Sequence, residues 1–486
     1  MDPVQHILTD IQCAEPRRLA DTMHSEVLAA IRDGRLATGI KLPASRQLAS
    51  ALGISRNTVI SVYDRLASEG HISSEVGVGS FVTFEASPLE SPGASQHLSD
   101  KIVSAWRDAR PVDIRKDKIV FDLLPGLPDT SLFPEELWRR LHARALRQIT
   151  VGQSSYQETQ GRLSLRRAVA KHLSATRAVS CRPENIIVTA GTQQALDILA
   201  RIFVTPGKTR VAIEEPGYVF ARKVFAMAGA EVVPVPVDEE GMIVDALPDE
   251  IDIIFVAPSH QFPTGYVMSP ARRRALLEAA HQRCAIILED DYQSEFPVPG
   301  KPAEALQSLD RAASVFYIGT FSKCIFPELR LGFVVAPNWA LSSLLAAKQL
   351  ACHETPVFDQ DTLAAFISEG HLGRYVRRMR SHYETKRAAM IKALKAHCLP
   401  WIDEIHPDGG VNLRVRLKDG LRSADVSAAA ERMGIRAMSM DVFFAGMPTE
   451  NGLILGLGRI AQSDIDAAII GLATACRTVS RAQPHL

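Results

Sequence analysis

The chain has 486 residues, of which 46% are hydrophobic and 23% are charged, an ordinary composition for a protein with sizeable cores. Its 55 basic and 55 acidic residues balance, so net charge does not predict a polyanionic partner and any basic surface must be local. The seven scattered cysteines include no Cys-x-x-Cys pair and no histidine at zinc spacing, so we expect reduced thiols and no metal site. We also expect a cytoplasmic protein, because the sequence begins without a signal peptide and its longest apolar runs are too short for a membrane span.

The N-terminal pattern is three helices followed by two short strands around a glycine-containing tip. The predicted elements are a helix over Leu19–Ile31, a helix beginning near Ala44 or Ser45, a helix with Ser55 as its N-cap, and the strands His71–Ser74 and Ser80–Thr83. This order predicts a winged helix whose third helix exposes donors suited to base edges and phosphates. A small helical adaptor that packs on another domain is the alternative.

Three sequence motifs identify this domain more specifically than the order of its helices and strands does. LPASRQLA occupies 42–49, LGISRNTV occupies 52–59, and Tyr63-x-x-Leu66-x-x-Glu69-Gly70 follows. They closely resemble the DNA-binding domain of the GntR family, and the resemblance implies DNA contacts by Arg46, Ser55, Arg56, Asn57, Thr58 and Gly77. Segment 45–58 has two arginines and no acidic residue, as is typical of a phosphate-facing surface. The wing departs from the family, because Glu75-Val76 stands where a basic residue is common, so wing contact with the minor groove is left open.

Residues 85–96 are rich in Ser, Pro, Gly and Ala and lack periodicity, which indicates a flexible connection. We therefore predict a DNA-binding domain at 12–84, a linker at 85–119 and a large domain at 120–486.

In the large domain, short apolar strands alternate with helices. The predicted strands are Ile186–Val188, Arg210–Ile213, Asp252–Ala257, Cys284–Leu288, Ser314–Ile318 and Leu331–Val335. Such alternation predicts an α/β fold with a mostly parallel sheet that binds its ligand at the carboxyl ends of the strands. Polar or aromatic residues follow four of these strands, at Gly191-Thr192, Pro216-Gly217-Tyr218, Asp290 to Tyr292, and Lys323.

The segment around Lys323 contains the candidate cofactor-binding residues. Gly319-Thr320-Phe321-Ser322-Lys323 places a lysine in a turn after a buried strand, with an acidic pair and a tyrosine upstream and Arg330 downstream. These are the groups that hold pyridoxal phosphate (PLP): a lysine for the Schiff base, a carboxylate for the pyridinium nitrogen, and cations with helix-end amides for the phosphate. Taken singly, Asp290-Asp291 is equally a helix cap or a magnesium site, and Arg330 a surface ion pair. Arg459 could likewise form a surface ion pair, although its position among apolar and glycine residues favours a buried anionic partner.

Four motifs resemble the fold type I aminotransferases over about Val120–Val479. They are EPGY at 215–218, PSHQFPTG at 258–265, EDDYQSEF at 289–296 and GTFSK at 319–323. With the N-terminal domain included, the whole chain is similar to the MocR-type regulators of the GntR superfamily. The implied fold is a winged helix-turn-helix joined by a linker to a PLP-dependent domain with a large subdomain and a C-terminal small subdomain.

The resemblance also implies individual roles. Lys323 would form the Schiff base, Asp290 would face the pyridine nitrogen, Tyr292 the phenolic oxygen, and Tyr218 would stack on the ring. The phosphate would contact Gly191, Thr192, Gln193, Thr320, Ser322 and Arg330, together with Tyr156 from the second subunit of a homodimer. Arg459 would hold the carboxylate of an amino-acid effector.

Two departures from the family bear on function. Glu158-Thr159-Gln160 replaces the usual Asp-Pro after Tyr156, and Phe262 stands where aminotransferases commonly have an asparagine near the cofactor oxygen. The second change favours sensing over turnover. Two hypotheses stay open: a PLP-dependent regulator that binds operator DNA and senses an amine, an amino acid or PLP itself, and an active aminotransferase with an appended DNA-binding domain.

Overall fold

A computed structural model of the chain describes residues 19–75, 78–83, 101–103, 106, 109, 119–151, 158–296, 304–406 and 410–482. The chain divides into two compact units, Met1–Arg110 and Pro111–Leu486. This division falls inside the predicted linker, whose ends at 85 and 119 stay a prediction. Gly77 and Tyr156 lie outside the described residues, so their predicted contacts have no structural counterpart here.

The first unit is a winged helix, as the sequence predicts. Its elements are α1 (Leu19–Arg32), α2 (Ser45–Leu52), α3 (Arg56–Ser68), β1 (Ile72–Glu75) and β2 (Gly79–Val82), with the two strands antiparallel. Gly53 adopts a φ of 66° between α2 and α3, which favours glycine. Ser55 caps α3 by accepting a hydrogen bond from the backbone N–H of Thr58 over 3.1 Å. The hydroxyl of Tyr63 donates to the carbonyl oxygen of Pro43 over 2.9 Å and so joins α3 to the chain that precedes α2.

In the described residues, the second unit contains an eight-stranded sheet, a four-stranded sheet and a two-stranded sheet, with helices around them. Its strands are β3 (Phe121–Asp122), β4 (Ile186–Thr189), β5 (Arg210–Glu215), β6 (Glu231–Asp238), β7 (Gly241–Met242), β8 (Ile253–Val256), β9 (Ile286–Asp291), β10 (Val315–Thr320), β11 (Gly332–Val335), β12 (Ile402–His406), β13 (Asn412–Leu417), β14 (Ile435–Arg436), β15 (Met438–Ser439) and β16 (Gly452–Gly456). Its longer helices are α4 (Glu135–Val151), α5 (Leu163–Arg177), α6 (Thr192–Phe203), α7 (Val219–Met227), α8 (Pro270–Gln282), α9 (Leu341–Cys352), α10 (Val357–Ser368), α11 (His371–His397), α12 (Ser423–Arg432) and α13 (Ile465–Ala482).

The large subdomain contains an eight-stranded sheet in the order β4-β11-β10-β9-β8-β5-β6-β7. The five neighbouring strands β10, β9, β8, β5 and β6 are parallel, whereas β11 runs antiparallel to both β10 and β4. Phe255 of β8 packs with α6 and α7 on one face, and Ile254 packs with α8 on the other. Helices cover both faces of the sheet, which explains why its strands are continuous apolar runs in the sequence. The prediction of a mostly parallel sheet is confirmed.

The small subdomain contains a four-stranded sheet in the order β12-β13-β16-β15. Short β3, near the start of the unit, pairs in parallel with β14 of this subdomain. The start of the unit therefore joins its C-terminal part before the large sheet begins.

In the described part of the chain, no helix is both long and apolar enough to cross a membrane. The six described cysteines are all free thiols.

Candidate cofactor site and DNA-binding surface

The strand topology brings the predicted cofactor residues together. β4, β5, β9 and β10 run in one direction, so their carboxyl ends meet at one edge of the sheet. In the register of the sheet, Asp290 of β9 lies beside Ile318 of β10, and Lys323 follows the end of β10.

Lys323 is held by a segment that the sequence reasoning did not single out. Its Nζ donates a hydrogen bond to the carbonyl oxygen of Gly126 over 2.8 Å. Gly126 has a φ of 75°, and a Cβ at this position would lie 3.0 Å from Nζ, so both the backbone conformation and the close approach favour glycine. Burial lowers the pKa of Lys323, the negative charge of Asp290 opposes this effect, and Arg330 adds to it. The lysine is therefore biased toward the neutral, nucleophilic amine.

The small subdomain fixes the segment that carries Gly126. The side-chain oxygen of Asn412 accepts a hydrogen bond from the backbone N–H of Gly126 over 2.8 Å. Gly456 and Gly458 approach the carbonyl oxygens of Leu124 and Leu127 so closely that a Cβ at either glycine would clash. The glycines around Arg459 thus have a packing role that the sequence motif alone did not indicate.

The three consecutive acids of β9 have different partners. Asp291 accepts hydrogen bonds from Nε of Arg177 over 2.7 Å and from the hydroxyl of Tyr317 over 2.8 Å. Glu289 accepts from two backbone amides of the 306–307 turn, over 2.7 and 2.8 Å. Asp290 points to the opposite face, as alternation along a strand requires, and its Oδ1 is buried without a hydrogen-bond partner among the described residues. Asp290 is thus the acid that is available to a ligand.

Burial and neighbouring charges act on the pKa of Asp290. Burial, together with the charge of Asp291, raises the pKa of Asp290 to about 7, and Lys323 only partly offsets this rise. Nearby Glu214 was not anticipated from the sequence. It is also buried, and burial raises its pKa to about 8. A protonated pyridine nitrogen beside Asp290 would supply the missing positive charge.

Aromatic side chains surround this position. The ring of Tyr292 lies 5.9 Å from the ring of His260 and 5.9 Å from that of Phe262, edge to face in both cases. Tyr218 lies at the N-cap of α7, and burial with the charge of Asp290 raises its pKa while Arg330 lowers it. Tyr218 therefore lies near both Asp290 and Arg330, the residues predicted to contact the ring nitrogen and the phosphate. This position is consistent with the predicted stacking of Tyr218 on the cofactor ring.

Among the predicted phosphate residues that the structure describes, Gly191 lies beside Arg330, and Thr320 contacts Ser322. Gly191 is the N-cap of α6 with a φ of 82°, and a Cβ there would lie 3.1 Å from Nη2 of Arg330, which itself donates to the carbonyl oxygen of Ala190 over 2.8 Å. The hydroxyl of Thr320 accepts from the backbone N–H of Ser322 over 3.2 Å. The Ser322 hydroxyl and the side-chain oxygen of Gln193 are buried without hydrogen-bond partners within the described ranges. A helix N-terminus, an arginine and an unpaired hydroxyl together suit a phosphate.

A loop of the small subdomain covers the aromatic side of the site. Phe443 packs on Phe262 with ring centroids 4.9 Å apart, edge to face. Its carbonyl oxygen accepts from the backbone N–H of Gly217 over 3.1 Å and from Nη1 of Arg222 over 3.4 Å. The motif that precedes Tyr218 is therefore also a docking point for the small subdomain.

Arg459 differs from its predicted environment. Its side chain is 55% exposed, and its Nη1 donates to the carboxylate of Asp122 over 3.1 Å. The expectation of a buried anionic partner is wrong, because the glycines beside Arg459 serve the close approach to Leu124 and Leu127. Its role in effector binding stays a prediction. Glu158, at the other departure from the family, accepts from Nη2 of Arg166 over 2.9 Å, which gives the unusual residue a local structural role.

The first unit presents the predicted DNA-contact residues at its surface. Arg46, Ser55, Arg56 and Asn57 are exposed and Thr58 is half-buried. Nε of Arg56 donates to the hydroxyl of Ser45 over 3.4 Å, which connects the starts of α2 and α3. Lys41, which was not predicted, pairs with Phe81 of β2 and places its Nζ 5.7 Å from the centre of that ring. Lys41 therefore brings a positive charge to the wing, where β1 itself ends in Glu75.

Comparison with known proteins identifies the family of each domain. Residues 131–435 match the aminotransferase class I and II family, and residues 19–82 match the gntR family of bacterial regulatory proteins. The "Probable rhizopine catabolism regulatory protein MocR" of Rhizobium meliloti is 34% identical over 94% of this chain and 93% of its own length. The pyridoxine biosynthesis transcriptional regulator PdxR of Corynebacterium glutamicum is 30% identical over 91% of this chain and 93% of its own. The solved α-aminoadipate aminotransferase LysN of Thermus thermophilus, complexed with N-(5'-phosphopyridoxyl)-L-leucine, is 30% identical with a TM-score of 0.69, over 76% of this chain and 94% of LysN.

The fold and the site thus define a gntR-type DNA-binding domain joined to an aminotransferase domain with PLP as its cofactor. The chain belongs to the MocR-type transcriptional regulators of the GntR superfamily. When bound, PLP supplies an aldehyde that reacts with amines and a ring that withdraws electrons. The residues present fit it, since Asp290 offers a buried carboxylate oxygen for the protonated ring nitrogen and Ser322 a buried hydroxyl for the phosphate, neither with a partner in the described structure.

Proposed function

We propose that this protein is a cytoplasmic, homodimeric regulator that binds operator DNA and whose DNA affinity responds to a small amine captured at Lys323. The observation that carries the proposal is the juxtaposition of two groups: Asp290 of β9, which has an unpaired buried oxygen, and Lys323, which has a lowered pKa and lies in the turn after the neighbouring strand β10. The same chain carries an exposed arginine pair, Arg46 and Arg56, on a winged helix.

In this proposal the protein side chains would hold the cofactor and move protons. Lys323 would hold the cofactor, and its Nζ, which donates to the carbonyl oxygen of Gly126, would be the group that takes up or releases a proton. Asp290 would pair with the protonated ring nitrogen. An effector shifts DNA affinity only by its differential binding to two states of the protein, commonly about 1–3 kcal/mol.

Two measurements test the proposal. Purified protein incubated with PLP is expected to show the visible absorbance of lysine-bound cofactor, and Lys323→Ala is expected to lose it. Fluorescence anisotropy with the promoter fragment of its own gene is expected to show binding that changes with one member of an amine panel. A folded wild-type protein that stays colourless, or a variant with an unchanged spectrum, would contradict the cofactor role.

An active aminotransferase is the second candidate, because Lys323, Asp290 and Tyr292 are all in place. Steady turnover of an amino acid and a 2-oxo acid at about 1 s⁻¹ or faster would favour it. Failure to retard the promoter fragment would do the same.

A further inference from the structure

One cysteine of the second unit is connected to the phosphate end of the cofactor site through a glutamine. The Sγ of Cys352, at the end of α9, accepts a hydrogen bond from Nε2 of Gln194 over 3.1 Å. The Oε1 of the same glutamine accepts from the backbone N–H of Ala190 over 2.8 Å. The carbonyl oxygen of Ala190 accepts from Nη2 of Arg330, and the next residue, Gly191, is the N-cap of α6. A change at the sulfur of Cys352 therefore reaches the predicted phosphate residues through one side chain.

A buried lysine lies one helical turn before this cysteine. Lys348 and Cys352 are four residues apart on α9, so their side chains lie on the same face of the helix. Lys348 is fully buried, and its Nζ has no hydrogen-bond partner among the residues that the structure describes. Burial lowers the pKa of Lys348, whereas the Cys352 thiol and the charge of Glu354 oppose this effect. An amine that is biased toward its neutral, nucleophilic form thus lies beside the thiol.

Packing alone requires neither of these two side chains. A fully buried lysine is costly, and an apolar side chain of similar volume would fill the same space without that cost. Cys352, in contrast, is partly exposed, so a small oxidant from solvent can reach its sulfur. The pair therefore combines an accessible thiol with a buried amine, and both lie next to the glutamine that leads to the phosphate end of the cofactor site.

We propose that Lys348 and Cys352 form a redox-sensitive site, at which hydrogen peroxide converts the two side chains into a covalent sulfur–nitrogen bridge. A proton passes from Sγ to Nζ, and the thiolate attacks one peroxide oxygen. The O–O bond breaks, the hydroxide takes the proton from Nζ and leaves as water, and Cys352 becomes a sulfenic acid. Nζ then attacks the sulfur, the S–O bond breaks, and the hydroxyl leaves with one amine proton as a second water. Sulfur has lost two electrons to the peroxide, and a dithiol reductant reverses the reaction.

The bridge weakens the connection to the phosphate end of the site. Its sulfur is neutral and bonded to Nζ, so it is a poorer acceptor for Nε2 of Gln194 than the free thiol or thiolate is. Gln194 is then less firmly held beside the backbone N–H of Ala190, which precedes the N-cap of α6. Oxidation accordingly lowers the affinity for PLP. This inference goes beyond the proposed function, because the response to peroxide needs no effector amine.

Peptide mass spectrometry tests the bridge itself. Full-length protein is treated with hydrogen peroxide and dimedone, alkylated, and cut with a protease specific for glutamate, which keeps Lys348 and Cys352 in one peptide. The wild-type peptide is expected to be lighter than its reduced form by two hydrogen atoms and to carry neither dimedone nor the alkyl group. Lys348→Met conserves volume and removes the amine, so its Cys352 is expected to carry dimedone instead.

Two results would overturn the bridge. One is a wild-type peptide that carries dimedone to the same extent as Lys348→Met. The other is an unmodified Cys352 in protein whose exposed Cys284 has already been oxidised.

Absorbance titrations with PLP test the consequence. Peroxide is expected to weaken PLP binding to the wild type by about two- to tenfold, as for the loss of one hydrogen bond, and dithiothreitol is expected to restore it. Cys352→Ser keeps a hydroxyl acceptor for Gln194 but cannot form the bridge, so its own PLP affinity is expected to be the same before and after peroxide. An equal effect of peroxide on that variant overturns the connection between Cys352 and the cofactor. A folded protein that takes up no PLP in either state contradicts the proposed function instead.

Discussion

Asp291 and Arg177 form an ion pair of 2.7 Å in which each side chain is only 2% exposed. Breaking a buried pair leaves one uncompensated charge, at a cost of about 3–5 kcal/mol. We therefore expect Arg177→Gln to lower the free energy of unfolding by about that amount in a urea titration. The control is Arg201→Gln, which breaks a pair with Asp197 in which both side chains are about half exposed and which should cost about 0.5 kcal/mol. Equal effects of the two substitutions would contradict a structural role for the buried pair.

Asp290 should destabilise the protein without cofactor in a pH-dependent way. Its pKa of about 7 in the folded state lies above the usual value of about 4 in an unfolded chain. The unfolded state therefore loses its proton first, and the free energy of unfolding falls as pH rises from about 4 to 7. Asp290→Asn removes this titration, so its advantage over the wild type should grow across that window and become constant above it.

The expected advantage above pH 7 is on the order of 4 kcal/mol, because the pKa is raised by about three units and each unit corresponds to about 1.4 kcal/mol. Thermal unfolding of both proteins without PLP, from pH 4 to pH 8, measures it. Parallel curves for wild type and variant would show that Asp290 is not an unpaired acid. The same variant should bind PLP more weakly, because the ring nitrogen loses its anionic partner.

Gly126→Ala should displace Lys323. The added Cβ would lie 3.0 Å from Nζ, and the residue has a φ of 75°, so the variant combines a steric contact with backbone strain. We expect PLP affinity to fall by about tenfold or more, equivalent to 1.4 kcal/mol, in a spectroscopic titration. Gly420→Ala is the matched control, because its φ is 86° but nothing lies within 4 Å of the added Cβ. A similar loss in both variants would show that strain alone explains the effect.

Arg56→Ala should weaken operator binding by about 1–3 kcal/mol, as for the loss of a base or phosphate contact. The prediction follows from an exposed guanidinium at the first turn of α3. Anisotropy at one fixed salt concentration measures the change. An unaltered affinity would show that this end of α3 does not contact DNA.

Lys41→Gln tests whether Lys41, which lies outside β1 and β2 but packs on Phe81 of β2, contacts DNA. If Lys41 contacts a phosphate, its removal should reduce the slope of log affinity against log salt by about 0.9. Arg35→Gln is the control, because Arg35 pairs with Asp33 at 3.4 Å. An unchanged slope for Lys41→Gln would leave the wing without a charged contact to the backbone.

The sequence predicts those parts of the site that are local in the chain. The GTFSK turn, the acids of β9 and the helix start at Gly191 are contiguous motifs, and the structure brings them to one edge of the sheet. The family resemblance assigns Asp290 to the pyridine nitrogen, but the residue pattern alone does not show why Asp291 is unavailable, because that depends on Arg177, which lies 114 residues from Asp291. Burial on opposite faces of one strand decides it.

Other features depend on distant or unusual residues. The sequence did not predict β6, because Pro234 and Pro236 argue against a strand. The two prolines are alternate residues, so their nitrogens point to the same side of the strand. That side faces the sheet edge, where β7 pairs only with Val237 and Asp238. Gly126 was missed because its partner Lys323 lies 197 residues away. Arg459 was assigned a buried partner from its apolar neighbours, whereas its exposure and its pair with Asp122 are properties of the folded chain.

The bond between Asn412 and Gly126 has a consequence for biosynthesis. It joins positions 286 residues apart, and the lysine between them depends on it through Gly126. A growing chain emerges N-terminus first, so the winged helix and most of the large sheet leave the ribosome before β13, which carries Asn412, has been synthesised. PLP should consequently bind only after the chain has been released, so a shortage of PLP would leave full-length protein without its cofactor.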